Sequence, residues 1–226
     1  MNKNYSERDI VLIAVCLSIY LISLVASNTL GIKLMPFLFG THLSVSIFFF
    51  PFVFIGTDII GEVFGKKIAR VFVLTGIVST ALFIFYTFLS NIFPWSSAAS
   101  WVQESYGTVF NLSLRIAFAS LFAFAVGEYQ DYFLFWKVTE KLGKEMFWIR
   151  SLLSNIWSQS LDTALFMIIA FAGVYSPKVI LFMSIPWFLY KIIMGFLYTP
   201  LSYGAISLLT KLRKTNDNQS NQNQSI

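Results

Sequence analysis

The chain is short of charge, cysteine and histidine. Of its 226 residues, 12% are Asp, Glu, Lys or Arg, about half the usual 25% of soluble domains. The single cysteine, Cys16, excludes an intrachain disulfide and a Cys-based zinc site. The single histidine, His42, excludes the usual His-rich metal sites. There is no phosphate-binding Gly-rich loop, so this chain does not hydrolyse ATP by itself. Gly-x-Ser-x-Gly and His-Glu-x-x-His are also absent. No cofactor or metal is expected, and a transporter or binding subunit outranks an enzyme.

What is abundant is apolar. Hydrophobic residues make up 57% of the chain and aromatics 18%, with a mean hydropathy of +0.70. That excludes a soluble globular domain and a disordered chain. The apolar runs are long and continuous, unlike the short alternating stretches of a membrane β-barrel. They read as helices, the form that satisfies its own backbone in lipid.

The expected fold is all-α: a polytopic membrane protein with six transmembrane helices in a compact bundle. A span needs about 20 residues. The runs fall at about 10–30, 43–64, 68–93, 109–135, 149–173 and 179–209. They form one domain over 1–210, and the Asn/Gln/Ser-rich tail, 211–226, is expected to be disordered. Trp95 and Trp101 suit the headgroup level between the third and fourth spans. Six spans divide into two three-helix halves of opposite orientation, the arithmetic of an inverted repeat with a cavity between the halves. Asp58 and Asp162 each sit in the second helix of a half, but no clear self-similarity surrounds them.

Orientation follows from the basic residues. Twelve of the sixteen lie in the N-terminus, the 2–3 and 4–5 loops and the tail; Lys33 and Lys178 lie opposite. Both termini are therefore expected in the cytoplasm. The net charge of +5 is read as topology, not as nucleic-acid binding.

Charges inside apolar spans are costly and mark function by default. In the fifth span Asn155, Gln159 and Asp162 recur at i, i+4 and i+7, a polar stripe on one face. A carboxylate beside two carboxamides offers acceptors and donors to a heterocycle with an amide edge. The plainer alternative is hydrogen-bonding glue between helices. In the sixth span Lys191 lies at a depth similar to that of Asp162, which suggests an ion pair. Trp187 and Tyr198 share its face, able to stack a flat ligand or simply to pack. Pro186 and Pro200 bracket that segment, each removing a helix hydrogen bond. Arg115 lies about one and a half turns inside the fourth span, with snorkelling as its alternative. Ala119, Ala123 and Gly127 form a small-residue ridge for close packing. Asp58 and Glu62 share a face of the second span. They read as a proton site or an acidic gate opposite Arg70, with a Glu62–Lys66 i,i+4 pair as the alternative. His42 sits at a turn and is given no role.

The second span and its exit read Phe50-Pro51-Phe52-Val53-Phe54-Ile55-Gly56-Thr57-Asp58-Ile59-Ile60-Gly61-Glu62-Val63-Phe64-Gly65-Lys66-Lys67-Ile68-Ala69-Arg70. This resembles the signature of the queuosine precursor transporter family, once grouped as vitamin uptake transporters. Ser27-Asn28, Arg115, the Asp131 region, Ser154, Asp162-Thr163 and Lys191 fit the same pattern, so the resemblance covers all six spans. It implies an inner-membrane carrier, without an ATPase, for 7-deazaguanine bases: preQ0, preQ1 or queuine. Asp162 would read the N1–H and 2-amino edge, Asn155 and Gln159 would orient the base, and Lys191 would serve O6 or pair with Asp162. Asp58 and Glu62 would be a second reader or the proton-coupling site. The partners are then the base and the lipid bilayer, with no nucleic acid, and a homodimer is compatible with so short a carrier. Rival readings are a substrate-binding subunit of an energy-coupling factor importer, an intramembrane enzyme using Asp58 and Asp162 as an acid dyad, and a scaffold whose charges only pair helices.

Overall fold

A computed structural model describes residues 5–37, 40–142 and 147–223. The protein is helical apart from one small hairpin. In chain order it has α1 (Glu7–Leu30), β1 (Leu34–Pro36), β2 (His42–Ser44), α2 (Phe50–Phe64), α3 (Lys66–Ile92), α4 (Gln103–Leu142), α5 (Phe147–Phe171) and α6 (Pro177–Asn223). Three segments among the described residues are long and apolar enough to cross a membrane by themselves: Glu7–Leu30, Lys66–Ile92 and Ser97–Val126. Their outer faces carry exposed apolar side chains, such as Val11, Val15 and Ile22 of α1 and Leu74, Val78 and Phe85 of α3. Lipid, not water, is the solvent for such a surface. The protein is an all-α membrane protein.

Helix ends follow local chemistry. α1 opens with a capping box: the Ser6 hydroxyl accepts from the Asp9 N–H and the Asp9 carboxylate accepts from the Ser6 N–H, at 3.2 and 3.1 Å. α2 stops at Gly65, whose φ of +96° favours glycine, and α3 starts at the next residue. α5 ends before Gly173, φ +80°, and Pro177 opens α6, where a missing N–H costs nothing.

Three sequence expectations change. The run 43–64 is not one helix: β2 pairs antiparallel with β1, a 3-10 turn spans Val45–Phe48, and only Phe50–Phe64 is α-helical. His42 is thus a strand residue. The Glu62–Lys66 pair requires a continuous helix, and Gly65 interrupts it; among the described residues neither Asp58 nor Glu62 joins an ion pair. The helix of the last span continues beyond 209, through the expected disordered tail, as far as Asn223. No Pro or Gly lies between 205 and 223 to stop it.

The chain divides into two compact units. The first comprises Met1–Ser27, Ser46–Ser79 and Met194–Ile226; the second comprises Asn28–Val45 and Thr80–Ile193. The first unit is built on Tyr20, Ile60, Phe64 and Phe72. The Tyr20 and Phe72 rings meet at 5.7 Å, tilted by 50°. The second buries Ile116, Ala117, Ala119 and Ala123 of α4 with Met167, Ala170 and Phe171 of α5. The expected small-residue ridge is therefore a packed surface at Ala119 and Ala123; the Gly127 position lies outside the described side chains.

Candidate functional site

α5 and α6 of the second unit bring the site together. Asp162 and Lys191 form an ion pair through Asp162 Oδ2, as their matched depth suggests. The Lys191 side chain is 7% exposed and that of Asp162 25%. Both charges are largely covered, and their pairing offsets part of the cost. The pair engages one carboxylate oxygen and leaves the partly exposed carboxylate a second acceptor.

One helical turn from the pair lie an aromatic and a polar side chain. Trp187, one turn before Lys191, is buried, and its ring stacks on Tyr190 at 5.7 Å with 25° between planes. Tyr190 does not stand out in the sequence, where its ring looks like any other in an aromatic span. Gln159 is half-buried one turn before Asp162. The side chains of Asn155 and Tyr198 lie outside the described residues. Thr163, adjacent to Asp162, is buried with its hydroxyl unpaired among the described residues, as is Ser113 of α4.

Arg115 of α4 reaches across to the end of α5. Its Nε donates to the Ile169 carbonyl at 2.6 Å and its Nη2 to the Ala172 carbonyl at 2.5 Å. These carbonyls belong to the end of α5, where backbone acceptors lack helical partners and carry partial negative charge. A cation with a planar fork of donors fits that end. Arg115 thus ties α4 to the C-terminus of α5.

Asp58 and Glu62 belong to the first unit, on an exposed face of α2. Gly61 of the same helix makes a close approach to α3: a Cβ there would stand 3.4 Å from that of Ala69. Gly61 therefore packs while Gly65 turns. The side chains of Glu128 and Asp131 lie outside the described residues.

A cavity of about 790 Å³ lies between α5 and α6, lined by residues such as Ala164, Ile168, Ile180 and Phe188. It is almost wholly apolar, and its α5 residues lie on the side of the helix away from Asp162. No His, Cys, Asp and Glu cluster among the described residues could hold a metal ion.

Apolar helices long enough to span a bilayer, with a part-buried ion pair between two further helices, define a polytopic membrane protein. Residues 44–205 match the family described as "Putative vitamin uptake transporter", and the chain belongs to that family. It is 30% identical over 158 residues to the queuosine precursor transporter of Escherichia coli K12, covering 69% of this chain and 67% of that one. It is 27% identical over 174 residues to the probable queuosine precursor transporter of Bacillus subtilis 168, covering 76% and 75%. A probable queuosine precursor transporter of Haemophilus influenzae Rd is 26% identical over 175 residues, covering 74% and 70%. No solved structure matches.

Proposed function

We propose that this protein imports 7-deazaguanine precursors of queuosine across the bacterial inner membrane. The relatives' names point to a queuosine precursor as substrate, and the family resemblance of the sequence supplies its 7-deazaguanine chemistry. The part-buried Asp162–Lys191 pair, one helical turn from the buried Trp187, is the observation in this chain that carries it. The base presents N1–H and 2-amino donors along one edge, and a carboxylate accepts two parallel donors. Its O6 accepts a hydrogen bond, which an ammonium donates. In the empty carrier the two groups satisfy one another. On binding, the base enters between them, so no charge is left without a partner. Asn155 and Gln159 orient the base, and Trp187 and Tyr198 line its ring. Arg115 enters this proposal as the residue that holds α5, and Asp58 and Glu62 as the coupling site.

Six spans carry this site, with both termini in the cytoplasm, as the basic residues dictate. Thermal-shift titration of the purified protein with preQ0, preQ1, queuine and guanine tests the reading. A ligand bound only by the folded state raises its apparent stability. Deazaguanines should raise the Tm, and Asp162→Asn should abolish the shift. A folded protein unaffected by every base would overturn the substrate assignment.

A further inference from the structure

One side chain near the end of the chain holds two earlier helices together. Arg213 of α6 donates from Nη1 to the Val63 carbonyl at 2.8 Å. Its Nε lies 3.3 Å from Asp9 Oδ1, and its guanidinium sits 5.2 Å over the Phe64 ring. Val63 and Phe64 form the last turn of α2, and Asp9 the first turn of α1. Tyr5 adds a hydroxyl donated to the Phe64 carbonyl at 3.4 Å. All of these residues lie in the first unit.

Each contact has a physical reason. The final carbonyls of α2 lack helical partners and attract a cation. The Asp9 side chain is 7% exposed, so its charge requires a counter-charge. The aromatic face adds attraction for the guanidinium. A basic residue serving topology alone would stay in water, whereas three-quarters of this side chain is covered. Below the contact, α2 and α3 meet at Gly65, in a conformation that favours glycine and with open space around its Cα. Such a residue absorbs backbone rotation readily.

We propose that Arg213, Asp9 and the last turn of α2 form a clasp that closes one end of this unit, with Gly65 as the hinge on which α2 is released. The inference rests on the carrier reading for its direction: the clasp is the cytoplasmic gate, next to both termini.

Cys16 is a built-in reporter. It is the sole thiol, half-buried against the Tyr20–Phe72 cluster, and about 10 Å along α1 from Asp9 at 1.5 Å per residue. Inverted membrane vesicles holding the full chain are treated with a membrane-impermeant maleimide. Losing a charge-assisted hydrogen bond should raise Cys16 modification in Arg213→Gln by roughly tenfold or more. Intact cells, labelled from outside, should show no such rise. Asn91→Ala, which removes a 2.8 Å hydrogen bond to Asn111 in the second unit, should leave the rate unchanged. If Arg213→Gln does not fold, Asp9→Asn decides, because it keeps an oxygen for the Ser6 N–H and removes only the charge; a rise of several-fold is expected. Unchanged labelling in the folded variants, or an equal rise from both sides of the membrane, overturns the clasp. The assay contains no substrate, so its failure is distinct from a failure of deazaguanine binding.

Discussion

Asp162 and Lys191 are each costly alone and tolerable together. Removing one partner of a buried pair leaves an unpaired charge and costs about 3–5 kcal/mol, whereas replacing both can be nearly neutral. Lys191→Met should therefore lower stability sharply, measured by thermal unfolding in detergent. Lys191→Met combined with Asp162→Asn should recover most of it while base binding stays lost. Recovery of binding with recovery of stability would mean that the pair is only glue between helices. This pair was legible in the sequence because a charge in an apolar run has few places to go. The Asp9–Arg213 contact was not legible. Both residues lie in polar termini, where a basic side chain reads as topology, and no periodicity links the two ends of a chain. Arg115 was legible as a buried charge but not as a cap, because its acceptors are backbone carbonyls, which every residue has.

Helices α1, α3, α4, α5 and α6 could be read from apolar runs alone, although their ends were displaced by several residues. The run before α2 could not. Apolarity reports burial or membrane depth, not backbone direction, and Leu43, 1% exposed in β2, is as apolar as any helix residue. The end of α2 could: the apolar run stops at 64, and α2 stops at Phe64 with Gly65 after it. Packing of α1 on α3 depends on another feature that hydropathy misses. A Cβ at Gly76 would land on the Tyr20 hydroxyl and ring edge, and Tyr20 is 6% exposed in the core of its unit. Gly76→Ala should destabilise the protein by about 1–3 kcal/mol, the usual range for overpacking. Tyr20→Phe in that background should restore part of the loss, because the hydroxyl is the nearest obstacle. A Gly76→Ala protein with unchanged thermal unfolding would show that α1 and α3 have room to separate there.

For the molecule as a whole, scarcity of charge decided the class: a chain this apolar has to live in lipid. Membership of a transporter family agrees with that solvent. Division into two compact units was beyond the sequence, since it depends on which stretches of α1, α3 and α6 pack with which neighbours, and hydropathy treats each helix as one piece. The carrier reading makes a demand that no single helix can meet: the chain must move a base without another protein. Liposomes containing only the purified chain, given radiolabelled preQ1, test it most directly. The account predicts saturable uptake above empty liposomes, competed by unlabelled preQ1. Asp162→Asn should reduce it at least tenfold, as loss of a charge-assisted hydrogen-bonding edge requires. No uptake by folded wild-type protein, or full uptake by Asp162→Asn, would contradict it.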